Sequence, residues 1–180
     1  DNYITTRPQK PIQADVRLKS LTDSCYMAVY ADENEWGKQI ANLVIDDLNL
    51  KELLTIVPVP NLPSMAGVLN LDAYYIDQEE NFLVDGSLDA NSFVYEGLNV
   101  GDFDSQFTYA PQSETVHVID ANLAYNGNDI VFLEGVYDAT DEGELDASML
   151  LEDVPVDMLN PFIPDQLVGF KGALSGHMDV

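Results

Sequence analysis

The stretch from Asp153 to Val180 reads DVPVDMLNPFIPDQLVGFKGALSGHMDV. Its first half spaces Val156, Leu159, Phe162 and Ile163 about one helical turn apart, between Pro155 and Pro164. The spacing predicts a short helix there. The second half is glycine-punctuated, tends toward alternation, and predicts a strand from near Val168. An earlier stretch, Asp47 to Ala73, reads DLNLKELLTIVPVPNLPSMAGVLNLDA and has the same build. Each opens on Asp and an apolar–any–apolar start, passes through an amphipathic helical piece into proline-rich turns, and enters a strand at glycine. The offset is 106 between Asp47 and Asp153 and 105 between Gly67 and Gly172. A single-residue gap therefore aligns the two copies, and such a copy points to a repeating architecture.

Working outward, the chain between the copies is almost wholly strand-like. Gly67–Ile76, Phe82–Ala90, Phe93–Tyr95, Val100–Tyr109, Thr115–Tyr125, Asp129–Tyr137 and Glu144–Leu151 read as about seven strands joined by short turns. Several alternate cleanly. Val84, Leu88 and Ala90 share one face while Asp85, Ser87 and Asp89 share the other. Phe103, Phe107 and Tyr109 oppose Asp102, Asp104 and Gln106 in the same way. The adjacent Val118 and Ile119 break the phase and predict a bulge. Asn126 and Gly127 form the strongest hairpin signal. In the first copy, Leu50, Leu53, Leu54 and Val57 keep helical spacing, with Asn49 as the cap and Glu52 as its partner. Upstream, Val16–Leu21 and Cys25–Ala31 read as strands, residues 1–13 as an extended entry, and Trp36–Ile45 as either a strand or a short helix.

The fold class is therefore all-β, mostly antiparallel, in one domain over residues 1–180 with one or two short helices. Each strand has one apolar face. The sheet must bury that face against a second sheet, by closing into a barrel, or by folding over on itself.

Composition narrows the partners. Seven basic residues stand against 32 acidic ones, for a net charge of −25. A surface of that sign does not gather phosphates, so nucleic acid is a poor partner. The acids are spread singly along the strands, as on a solvated outer face. Cys25 stands alone, so no internal disulfide forms. No run reaches the roughly 18 apolar residues of a membrane span, and Asp1 is not followed by a signal-peptide pattern. Both ends read as cuts from a longer polypeptide.

Catalytic signals are missing. His117 and His177 lie far apart and outside metal-ligand spacings. Ser175 lacks nucleophile-elbow spacing, and Cys25 has no partner nearby in sequence. The acidic run Asp138–Asp146 departs from the ligand order of a calcium loop. No phosphate-binding glycine loop is present. Neither an enzyme, nor a metal, nor a cofactor is expected.

The run DVPVDMLNPFIP from Asp153, followed by GALSGHMDV from Gly172, resembles a recurrent element of the TamB family. TamB is the inner-membrane subunit of the translocation and assembly module. The strands around Gly86–Ala90, Phe107–Tyr109 and Gly135–Tyr137 resemble the C-terminal conserved region of that family. AsmA-like relatives share the style. The likeness covers residues 45–180, and residues 1–44 carry no matching motif. It implies a periplasmic segment of a protein anchored in the inner membrane. It also implies a long curved sheet folded into a U, a β-taco, with an apolar inner groove. The implied role is passage of phospholipid or outer-membrane protein strands between the membranes, with an outer-membrane barrel as partner of the full-length protein. The groove-facing residues expected on this reading are Val84, Leu88, Phe103, Phe107, Leu123, Tyr125, Leu145 and Met149. Alternation by itself favours a closed β-sandwich, a binding or adhesion module in which the same residues form an ordinary core, and it is the resemblance that sets the groove beside it.

Overall fold

Among the described residues, eleven strands hydrogen-bond in sequence order into one open antiparallel sheet. The computed structural model describes residues 2–8, 10–20, 24–56, 63–78, 81–140, 143–158 and 171–180. The strands are β1 (Tyr3–Thr5), β2 (Gln13–Lys19), β3 (Tyr26–Glu33), β4 (Gln39–Asn49), β5 (Met65–Gln78), β6 (Asn81–Tyr95), β7 (Leu98–Ala110), β8 (Thr115–Tyr125), β9 (Asn128–Asp138), β10 (Glu144–Pro155) and β11 (Ala173–Asp179). The helix α1 (Leu50–Ile56) follows β4. Residues 1–44, for which no motif stood out, contribute three strands and part of a fourth to the same sheet.

Several expectations change. Phe82–Ala90 and Phe93–Tyr95 are one strand, β6, interrupted by a bulge between Ala90 and Phe93. Six strands therefore lie between the two junctions. Trp36 sits in a turn, and the ambiguous stretch after it is strand β4. The last strand begins at Ala173, and Val168 lies outside the described residues. Of the second helix, Val156–Met158 form a turn of 3₁₀ helix, while Leu159, Phe162 and Ile163 lie outside the described residues. The first helix is capped as its sequence implied, with Glu52 N donating to Asn49 Oδ1 at 3.2 Å. The hairpin at Asn126 and Gly127 has φ of 53° and 78°, the pair of positive values that a tight type I′ turn needs. The bulge at Ile119 is present, because β8 slips against β9 between Val118 and Ala121.

The two junctions are structural copies. In the first, Ile45 pairs with Leu71, then Leu48 with Leu69 and Asn49 with Val68. In the second, Leu151 pairs with Gly176, then Val154 with Leu174 and Pro155 with Ala173. These pairs repeat at offsets of 106 and 105, those of the sequence copies. Each bulge holds a residue at positive φ, Asp47 at 55° and Asp153 at 51°. A left-handed residue swings its N–H out of the ladder, so that donor needs another acceptor. Asn70 Oδ1 accepts from Asp47 N at 2.8 Å, and Ser175 Oγ accepts from Asp153 N at 2.9 Å. A third bulge on β6 uses the same device. Ser92 has φ 52°, and its N donates to Asp102 Oδ1 at 2.7 Å. Asp and Ser suit these places because a short polar side chain tolerates the left-handed region better than a branched one.

A small buried cluster of Ile130, Val154 and Met158 closes one end of the sheet, with Leu98, Val100 and Tyr125 packed on it. Elsewhere the chains approach so closely that glycine is required. A Cβ at Gly101, where φ is 114°, would sit 2.1 Å from the carbonyl oxygen of Ala124. Gly37 also has positive φ, 73°, but faces open space. Gly101→Ala is therefore expected to destabilise the fold by about 3 kcal/mol or more, from clash plus strain. Gly37→Ala should cost about 1 kcal/mol, from strain alone. Urea titration of both variants separates the two costs, and equal midpoints would contradict the close approach at β7–β8.

Candidate functional site: the apolar face of the sheet

Residues directly opposite across a strand pair share a face. The register therefore defines rows that cross the sheet. One row runs Leu18, Met27, Ile45, Leu71, Leu88, Ser105, Ala121, Leu133, Met149 and Met178, from β2 to β11. The next runs Val16, Val29, Leu43, Ala73, Gly86, Phe107, Val118, Gly135 and Ala147. A third holds Tyr75, Val84, Tyr109, Val116, Tyr137 and Leu145. A fourth holds Leu69, Ala90, Phe103, Leu123, Val131 and Leu151. Ser105 is the one side chain in these rows bearing a hydroxyl without an aromatic ring, and none carries a charge.

On this face the small residues are buried, while most of the large ones, Ile45 apart, keep part of their surface in solvent. Ala14, Ala31, Ala90, Ala121 and Ala147 are buried among their neighbours. Tyr137 and Leu145 remain 43% and 44% exposed. Among the described residues no large side chain is fully buried. A covered sheet face would bury its leucines and phenylalanines ahead of its alanines, because burial removes roughly 25 cal/mol per Å² of apolar surface from water.

A cavity of about 670 Å³ opens on the face. Its lining comes from Leu50 at the start of α1 and from strands β5 to β9, mostly apolar side chains such as Met65, Leu88, Phe103 and Leu123, with the polar Ser105 and Asn122 among them. That volume falls within the roughly 300–1,000 Å³ of small-molecule sites. Of the eight residues expected to line a groove, Leu88, Phe103 and Leu123 meet at this cavity. Val84, Phe107, Leu145 and Met149 stand on the same face outside its lining. Tyr125 lies past Leu123 and packs on the cluster of Ile130, Val154 and Met158. Phe107 has a local task. Its ring covers Gly86, where a Cβ would lie 2.5 Å from the ring's Cζ. Local spacing does not mark Leu50, Met65 and Phe93 for this hollow, because their roles depend on how the bulges place them. Val131 and Leu133 lie in the unbroken apolar run Ile130–Leu133, which does not by itself tell one face of β9 from the other.

The opposite face carries the acidic side chains of β6 to β9, with apolar Phe132 and Leu150 beside them. Asp89 pairs with Asp104, and Asp104 with Asn122. Asn122 Nδ2 donates to Asp129 Oδ1 at 2.9 Å. On the same face Thr108 Oγ1 donates to Asp85 Oδ1 at 2.7 Å, and His117 lies exposed opposite Thr108. Desolvation, then the charges of Asp120 and Asp89, raise the carboxyl pKa of Asp104 against the hydrogen bond from Asn122.

No family model matches the chain, and neither the curated proteins nor the solved structures contain a match to it.

The raised carboxyl sets a sign for pH dependence. The folded state binds the Asp104 proton more tightly than the unfolded chain does, so ionised Asp104 costs stability. That cost is fully present above the folded pKa and vanishes as pH falls below the unfolded value. Asp104→Asn should therefore raise the melting temperature at neutral pH, with the gain shrinking as pH falls through the carboxylate range. Thermal melts across that range check it, and a gain that grows toward acid would contradict the assignment.

Proposed function

We propose that this chain is a periplasmic segment of a TamB-like protein, held near the inner membrane by the full-length polypeptide. Its sheet curls into a U and shields lipid acyl chains, or the strands of outer-membrane proteins, in an apolar groove between the two membranes. An outer-membrane barrel is the partner of the full-length protein. The observation that carries this reading is the continuous apolar face, on which most large side chains are only partly buried. Each methylene moved from water onto such a face contributes about 0.8 kcal/mol, so even a short acyl segment gains appreciably.

Two features support the curl. Cavity-lining residues come from five consecutive strands, β5 to β9. In a flat sheet the outer two would stand about 19 Å apart, too far to share one hollow. The bulges on β4, β6 and β10 also lie toward the same ends of parallel-running strands, and bulges increase local twist. The acidic outer face keeps a long open sheet soluble. A closed sandwich fits less well, because all eleven strands belong to one sheet and buried alanines outnumber buried leucines and phenylalanines.

Photo-crosslinking amino acids at Phe107 and Leu123, in protein expressed in a bacterial periplasm, are expected to capture phospholipid or nascent strands. The yield should be several-fold above that from Asp104 on the acidic face. Capture no greater than at Asp104 would sink the proposal. A cysteine at Leu123 in a Cys25→Ser background should also react with a bulky thiol probe in the folded state. Full protection there would favour the closed sandwich.

A further inference from the structure

Gly67 and Gly172 occupy the same place in the two junctions, and both have φ of 134°. At Gly67 a neighbour explains the glycine. A Cβ there would lie 3.0 Å from the carbonyl oxygen of Asn91, and 3.2 Å from Phe93 Cα and the carbonyl oxygen of Ser92. Those atoms belong to the bulge of β6. At Gly172 no described atom lies within 4 Å. The second junction keeps the backbone that accommodates a passing strand, and among the described residues the strand itself is missing.

Among the described residues, the edge beside Gly172 has backbone groups with no strand partner. β11 pairs with β10, and among the described residues nothing pairs with its other side. Val180 exchanges both backbone bonds with Ala147, at 2.9 and 3.1 Å, and Gly172 O accepts from Val156 N at 3.0 Å. In an antiparallel ladder such bonding alternates along the strand. The even-numbered residues of β11 therefore face β10. The N–H and C=O groups of Ala173, Ser175, His177 and Asp179 point away from it. All seven residues of β11 are exposed, with Leu174 at 43% and Met178 at 44%.

We propose that the free edge of β11 is an acceptor for one more antiparallel strand, an extended polypeptide segment with the pattern of β6. The pattern is apolar at alternate positions, with Asp or Ser between, and a polar pair where the segment passes Gly172. β5 supplies the template, since β6 lies on it with Leu71 opposite Leu88 and Ala73 opposite Gly86. Carried over at the offset of the repeat, Leu88 would face Gly176 and Gly86 would face Met178. Large then meets small at both places. Backbone bonds supply the affinity, and side-chain alternation selects the register. The proposal is independent of what occupies the apolar face.

The test uses residues 1–180 and a capped synthetic peptide of residues 81–95, read by residue-resolved amide hydrogen exchange. Saturating peptide is expected to slow exchange at Ala173, Ser175, His177 and Asp179 at least tenfold. A scrambled peptide should leave them unchanged. His177→Pro removes an outward N–H without removing a bond to β10, and should weaken peptide binding at least tenfold with the circular dichroism spectrum preserved. Should that variant disturb β11, Ala173→Pro puts the same question at the start of the strand. Unprotected amides with the peptide, or equal protection in both proline variants, would overturn the proposal. So would protection that rises with protein concentration alone, since that result assigns the edge to a second copy of the chain.

Discussion

The molecule rests on keeping side-chain parity across ten strand boundaries. In an antiparallel sheet a slip of one residue carries a whole strand's apolar set to the solvent face. Here each register brings apolar opposite apolar, from Leu18 on β2 to Met178 on β11. The bulges would be expected to break this parity, but they preserve it. At Ile45 to Leu48 the two intervening residues are both Asp and both exposed, so Leu48 returns to the apolar face. Asn91 and Ser92 do the same before Phe93, and Glu152 and Asp153 before Val154. The side chains of Asn70, Asp102 and Ser175 then satisfy the displaced donors at no cost to the ladder.

This device separates the legible from the illegible parts of the sequence. Alternation in β7 from Asp102 to Tyr109 is nearly perfect, and that strand can be read directly. The paired junctions are legible as well, since Asp47 and Asp153 with Gly67 and Gly172 carry the backbone geometry in their residue types. The division of β6 into two pieces was a misreading of Asn91 and Ser92. Two polar residues in a row resemble a turn, whereas in an antiparallel sheet they also serve as a bulge. Telling them apart requires knowing that Asp102 stands across the strand to accept the Ser92 N–H, and that is a long-range fact. The signal was nevertheless present three times, as a polar pair followed by a large apolar residue.

The candidate site divides in a similar way. Leu88, Phe103 and Leu123 can be placed together from period-two patterning, because facing is a local property. The hollow they share with Leu50 and Met65 is not local. It depends on where α1 leaves β4 and where β5 enters, positions fixed by the first junction. Phe107 illustrates the remaining gap. Its alternation marks it for the apolar face, but its ring lies over Gly86, so much of its surface serves the neighbouring strand rather than a ligand. A glycine opposite an aromatic ring is a known way to fill a bare place in a sheet.

The strand order has a consequence for how the chain is made. Each strand from β2 to β10 pairs with the strand before it and the strand after it in sequence, and among the described residues β1 and β11 each pair with their single neighbour. Nothing early must wait for something late, so loop-closure entropy is small at each step. The sheet can grow from either end, one hairpin at a time, as the polypeptide emerges from a ribosome or an export channel. Such a molecule is quasi-one-dimensional, with stability accumulating from neighbour to neighbour. Its length is free to change by whole repeats, and damage to one hairpin leaves distant hairpins with their partners intact.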